Sequence, residues 1–479
     1  MEKWELINSA IDEKAEALYA LSDAIWDVPE LAFTEENAAK LLSAKLEEEG
    51  FEVARNVAGI ETAFTGTFGS GRPVIGILGE FDALSGLSQA ANSPVKEALI
   101  PGANGHGCGH NLLGVGSLAA AIAVKKYLEE TKVPGTVIYY GCPGEEGGAG
   151  KAFMAREGVF EGLDCALTWH PSHINSSAPH SSLANMQMKF TFDGIASHAA
   201  GAPENGRSAL DAVTLMNTGV QFLREHTNMK DRIHYAVTDT GGVSPNVVQA
   251  HAEVIYLVRT PHLNTLFPLV ERVKNIARGA ALMTDTTMSF EVHKITADTV
   301  PNATLQKVLR RNMEQAGLPK FTEEDYAYAK AMSQSIQLRQ KVLPTVVILD
   351  ENLAEVVAAH QDDYLYDFLI PEFPYVVEGS GSTDVGDVSW NTPTAEINTA
   401  TECAGTSMHT WQATAQGKGP IAHKSMLFAG KALAGGAIDL INDPSLIEAA
   451  TKEWKRRLNG AVYQKLPPEL KPRKAGKKQ

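Results

Sequence analysis

The stretch NGHGCGHNLLG, Asn104 to Gly114, sets two histidines and a cysteine within five residues, with glycine on either side of the cysteine. Thiolate and imidazole are donors that suit zinc and neighbouring transition metals. One glycine separates Cys108 from His110, so extended backbone points both side chains the same way. Gly107 and Gly109 permit close approach of backbone and ligands. His106 is a further donor within reach. Alone, the cluster is equally a glycine-rich turn around one buried cysteine.

Other donors lie far along the chain. Glu145 and Glu146 stand side by side in CPGEEGG after an apolar run. Adjacent carboxylates repel, and burying both without a cation is expensive. A solvated loop is the plain alternative. His170 closes ALTWHP, where a hydrogen-bonded core histidine is the ordinary reading. His409 lies in GTSMHTWQ, and Asp82 ends GEFDAL. Taken jointly these residues supply more N, S and O donors than one structural zinc needs. Glu145 is then free to take a proton from a water whose pKa a metal lowers to about 7. Such a site hydrolyses polarised carbonyls.

The elements that must position these residues follow from the hydrophobic pattern. Ser9 to Val28 and Glu36 to Glu49 have the spacing of amphipathic helices. RPVIGILGEFDAL, GTVIYYGCPGEEGGAG and LDCALTWHPS are short apolar runs that suit buried strands, each ending in a polar loop. LLGVGSLAAAIAVKKYLEE is a small-residue helix that must pack closely. Strand, crossover helix and strand predict an open α/β sheet with ligands at the carboxyl ends of its strands.

The pattern changes near residue 184. ANMQMKFTFDG alternates, and a helix, the strand VVQAHAEVIYLVRT, a second helix and the strand TTMSFEVHKI follow. The predicted organisation is a mixed-sheet α/β catalytic domain, residues 1–183 and 300–479, interrupted by a smaller α+β domain at 184–299.

In this order the motifs GEFDALSGL, GHGCGHNLLG, CPGEEGGAG and LTWHP resemble those of the dinuclear metallopeptidase-type amidohydrolases, such as aminoacylases, carboxypeptidase G and hippurate hydrolase. GIASHAAGAPENGRSALDA, GGVSPNVVQAHAEVIYLVR and HTWQ extend the likeness over nearly the whole chain. The resemblance implies two divalent ions, Mn2+ or Zn2+, held by Cys108, His110, Glu146, His170 and His409, with Cys108 a candidate bridge. It implies that Glu145 is the general base for hydroxide attack. His198 would steady the oxyanion in a partner subunit's site, and Asn246 and Arg259 would grip the substrate carboxylate. The insert would be a ferredoxin-like dimerisation or lid domain, in a homodimer or a heterodimer with a related subunit. The expected substrate is an N-aroyl or N-acyl amino acid, foremost p-aminobenzoyl-glutamate. Auxin–amino acid conjugates and dipeptides are alternatives, and a mainly structural, non-catalytic subunit is the alternative from another class.

Departures from the family pattern are specific. Asn111 stands where Asp is common, so the hydrogen bonding behind His110 is expected to differ. VVQ follows Asn246 where many relatives carry proline. His423 in PIAHKSM competes with His409 as the last ligand. His173 and His180 are expected on the surface, and the segment 320–361 carries no familiar motif.

Composition narrows the class. The 479 residues are 44% hydrophobic and 21% charged, with a net charge of −15, which argues against nucleic acid or an anionic membrane as partner. Four scattered cysteines form no disulfide framework, and no apolar run is long enough to span a bilayer, so a cytoplasmic protein is expected. The basic tail from Lys471 to Gln479 is expected to be a frayed, solvated terminus.

Overall fold

A computed structural model describes residues 2–336, 351–372 and 375–475. Of the motif-free segment 320–361, residues 337–350 lie outside the described residues. The strands in chain order are β1 (Glu52–Arg55), β2 (Phe64–Ser70), β3 (Val74–Glu80), β4 (Gly135–Cys142), β5 (Cys165–Ser172) and β6 (His180–Ser181). They continue with β7 (Ala184–Asp193), β8 (Arg232–Asp239), β9 (His251–Thr260), β10 (Thr287–Thr296), β11 (Val377–Glu378) and β12 (Thr394–Ala400).

One sheet has the order β1-β2-β4-β3-β5-β12. Its β4, β3, β5 and β12 are parallel, while β1 and β2 pair antiparallel at the edge. β3 and β4 are buried along nearly their whole length, which explains their continuous apolar sequences. The small-residue helix, His110–Thr131, lies on this sheet and packs against helix Pro420–Asn442. Gly116 makes that approach possible, because a Cβ there would lie 2.7 Å from the Trp169 ring of β5.

A second sheet, β10-β7-β9-β8, is antiparallel throughout. Every second residue of β9 is buried, and helices Ala209–Arg224 and Leu263–Thr284 cover that face. β8 has no counterpart in the expected strand–helix–strand–helix–strand unit. Its residues after Ile233 are all exposed, so it lacks the half-buried alternation that marks β7 and β9. The hydrophobic pattern carries no expectation for β1, β2 or β12 either. The expected helix from Ser9 to Val28 is two helices, Lys3–Asp12 and Ala15–Trp26.

Two surface expectations are corrected. The basic tail is held as far as Ala475: Leu470 is buried, Arg473 pairs with Glu291, Lys474 with Glu61, and the Ala475 amide donates to Ala32. Its cations find acidic partners on the body of a chain that carries an excess of them. His173 and His180 are half-buried, because the chain after β5 runs beneath Tyr366 and beside Glu396 instead of over the surface.

The close packing at Gly116 predicts that Gly116→Val destabilises the fold by about 1–3 kcal/mol, through overpacking against Trp169. Chemical denaturation checks this, and an unchanged midpoint would contradict the packing described.

Candidate metal centre

The parallel order β4-β3-β5-β12 brings four carboxyl ends to one edge of the large sheet. β3 ends on Glu80 and delivers Asp82. β4 runs into a single irregular turn carrying Glu145 and Glu146. His170 lies on β5, and the loop after β12 carries His409. Cys108 and His110 enter at the start of helix His110–Thr131, where Gly109 has φ +70 and its missing Cβ leaves room for Pro171. The backbone N–H of His409 donates to Gly107 at 2.8 Å, tying the late loop to the early one. His409 itself has φ +61, an uncommon conformation for a residue with a side chain.

These side chains meet. One donor atom each from Cys108, His110 and His170 lie within 4.8 Å of one another. The same holds for Cys108, Glu146 and His409, and for Glu80, His110 and Glu145. Cys108 is common to two of the groups. The Cys108 Sγ is 3.5 Å from His170 Nε2, and His409 Nε2 is 3.1 Å from Glu146 Oε1.

Hydrogen bonds orient the donors from behind. His110 Nδ1 lies 2.9 Å from Asp82 Oδ1, and the Glu146 amide donates to Asp82 Oδ2 at 2.8 Å. One carboxylate thus aims both a ring and a turn. With Nδ1 engaged, His110 presents Nε2 to the cluster, as metal-binding histidines do. His110 Nε2 and Glu146 Oε1 are buried and make no aligned hydrogen bond. Their charged neighbours, Glu80 Oε2 at 3.2 Å from His110 Nε2 and His409 Nε2 at 3.1 Å from Glu146 Oε1, are not aligned for hydrogen bonding. A divalent cation would give both atoms an aligned partner, and a mixed S, N and O set suits a transition metal.

The electrostatics point the same way. Burial, then Glu146 and Glu80, hold the Glu145 carboxyl well above the usual range, so it retains a proton in the absence of added positive charge. Burial pushes Glu146 up as well, but the neighbouring His409 and His110 bring it down to about 2. Burial also raises the Cys108 thiol well above its ordinary value. A bound divalent ion reverses this last preference, since a coordinated thiol is deprotonated.

The remaining expected residues are distributed as follows. His106 is buried, with Nε2 3.2 Å from the Ile25 carbonyl, so it faces a helix and does not join the groups. His423 stacks on Tyr19 and lies 2.8 Å from Asp23. Asn111 donates to Ser22 and Gly417, and the acid behind His110 is Asp82. His198 and Asn246 meet in loops of the smaller sheet, where the Ala199 amide donates to the Asn246 carbonyl. His198 Nδ1 accepts from the amides of Ala200 and Gly201, which leaves the ring proton on Nε2. Among the described residues, no hydrogen bond or ion pair joins His198 or Asn246 to the metal-binding groups. Arg259 donates to Ser382 at 2.9 Å.

Sequence reasoning missed Glu80, Lys151, Asp384 and Glu35. Glu80 stands two residues before Asp82, a spacing that puts both on one side of an extended chain, which was a usable signal. Lys151 in AGKAFMA was another: a cation set among apolar residues needs a buried anion. Glu35 accepts from the amides of Phe33 and Gly144, bracing the turn ahead of Glu145 from 109 residues away. No local pattern marks such a contact.

Comparison with known proteins agrees with this geometry. Residues 76–377 match the peptidase family M20/M25/M40. The chain is 45% identical over 465 residues to one of the subunits of p-aminobenzoyl-glutamate hydrolase from Escherichia coli K12, covering 96% of this chain and 97% of that protein. It is 31% identical to the Xaa-Arg dipeptidase of Mus musculus, over 94% and 91% of the two chains. A crystal structure described as a dinuclear metal binding peptidase from the M20 family of Bacillus subtilis superposes with a TM-score of 0.56 at 17% identity, over 90% of this chain and 99% of that one. The strand-end donors, the antiparallel insert and these likenesses agree: the chain belongs to the peptidase M20/M25/M40 family and is a metal-dependent amidohydrolase.

Proposed function

We propose that this chain hydrolyses the amide bond of N-aroyl and N-acyl amino acids, splitting p-aminobenzoyl-glutamate into p-aminobenzoate and glutamate. The observation that carries the reading is the convergence of Cys108, His110, Glu146, His170 and His409 into two three-donor groups that share Cys108, with Glu145 beside them. The name of the relative at 45% identity supports the choice of substrate. These five residues would hold two divalent ions, Mn2+ or Zn2+, with Cys108 between them. When bound, such ions polarise the amide carbonyl and acidify the attacking water.

The chain's own groups do the rest. Glu145 takes the proton from the water as its oxygen bonds the carbonyl carbon, and returns it to the nitrogen as the C–N bond breaks. His198, with its proton on Nε2, donates to the carbonyl oxygen as that atom gains charge in a partner subunit's site. Arg259 and Asn246 hold the carboxylate of the amino-acid half, for which a guanidinium fork is suited.

The unit at 184–299 is the lid and dimerisation domain in this reading. Its β8 is an edge strand with Tyr235 and Val237 exposed, and an unpaired edge of this kind favours addition of another strand. The partner is a second copy or a related subunit. Four cysteines that form no disulfide framework fit a cytoplasmic location, and no described helix is long and apolar enough to cross a membrane.

Hydrolysis of p-aminobenzoyl-glutamate by the purified chain with added Mn2+ or Zn2+, beside dipeptides and auxin–aspartate, tests the substrate. Faster turnover of Xaa-Arg dipeptides would move the assignment toward the 31% relative. Glu145→Gln is expected to lower kcat by about 10²–10⁴ with metal content unchanged. Loss of metal from that variant would make Glu145 a ligand instead of the base. Val237→Lys is expected to convert a dimer to monomers in light scattering and to remove activity while metal content stays the same. An active monomer would contradict the role given to His198.

A further inference from the structure

Lys151 stands on the short helix Gly150–Arg156, directly after the turn that carries Glu145 and Glu146, and its side chain is fully buried. A buried ammonium persists only where anions are placed for it. Lys151 Nζ lies 2.6 Å from Glu80 Oε1 and 2.6 Å from Asp384 Oδ1. The other oxygen of Asp384 accepts the backbone N–H of Lys151 at 2.8 Å. Asp384 therefore grips the lysine at both ends, and the ammonium is fixed.

Glu80 is the unusual member. It is 2% exposed, and its Oε2 lies 3.2 Å from His110 Nε2 without hydrogen bonding to it. A Glu80 oxygen, a His110 nitrogen and a Glu145 oxygen form a three-donor group of their own. A hard carboxylate this close to the donor atoms of His110 and Glu145 has the chemistry and the reach of a ligand. Catalytic sites, unlike structural ones, leave a coordination position open for water and substrate. A further carboxylate there would close it.

Resting on the metal reading given above, we propose that Lys151 is a positioning residue that holds Glu80 back from the ions and so keeps a coordination position free. Lys151 ties down one oxygen of Glu80 and neutralises much of its charge, and Asp384 prevents the ammonium from following Glu80 inward. Asp82, already engaged with His110 Nδ1 and the Glu146 amide, cannot substitute for this restraint.

The test uses the full chain loaded with Co2+, whose visible absorption weakens as coordination number rises. Removing the clamp in the double variant Lys151→Met/Asp384→Asn should weaken that absorption. It should also slow Co2+ release to a chelator by about tenfold or more, the scale on which groups behind the ligands act. The kcat should fall with KM nearly unchanged. Adding Glu80→Gln to the double variant should return the spectrum and release rate to those of the wild type and recover part of kcat. Glu80→Gln alone, a mild change in the folded chain, should leave spectrum and metal content as they were. An unchanged spectrum and release rate in the double variant, or loss of an ion in Glu80→Gln, would overturn the proposal. A wild-type chain that takes up no Co2+ would overturn the metal reading, and the proposal with it.

Discussion

Five carboxylates, Glu80, Asp82, Glu145, Glu146 and Asp384, crowd the carboxyl ends of β3 and β4 and the loop that faces them, linked through His110, Lys151 and the Glu146 amide. Lys151 is the one lysine or arginine paired within this group among the described residues. Taking an ion out of water costs several kcal/mol even after relaxation, so one ammonium cannot balance this set. A proton held on Glu145 relieves part of the imbalance, and further positive charge at the centre would relieve the rest. Two divalent cations meet that need, and the sulfur and nitrogen donors of Cys108, His110, His170 and His409 face the same space. The charge imbalance that would weaken an empty site is what makes a loaded one strong.

The fold serves this constraint. Parallel neighbours put four strand ends side by side, and a helix of small residues lets Cys108 and His110 approach from above. Asp82 then converts loose proximity into alignment, since it holds a histidine ring with one oxygen and a glutamate's backbone with the other. The loop around Asp384 reaches the second sheet as well, because Ser382 receives Arg259 two residues before Asp384 receives Lys151. A structural path therefore joins the strand proposed to read substrate carboxylate to the edge of the metal centre.

Much of the site was legible because its chemistry is local. Glycine on both sides of Cys108, paired glutamates after an apolar run, and a histidine closing a third run each mark a strand end that must do something other than pack. The long apolar runs of β3, β4 and β5 were readable for the same reason: strands buried on both faces have no polar side to disguise them. What escaped was either exposed or distant. β8 is exposed along most of its length and so has no hydrophobic alternation, and β12 lies beyond a long segment without motif. Lys151 and Asp384 are 233 residues apart, and only the folded chain shows that an apolar helix carries a lysine to meet an acid from another loop. The basic tail was misjudged because composition alone cannot show that Glu61 and Glu291 wait for it.

That donors remote along the chain surround two cations, with Cys108 between them, is tested most directly by anomalous diffraction from crystals grown with Mn2+ or Zn2+. Two peaks are expected about 3.5–4 Å apart, the spacing of two-metal hydrolytic sites, flanking the Cys108 sulfur and contacted by His110, His170, Glu146 and His409. A single peak, or peaks outside this cluster at full occupancy, would contradict it.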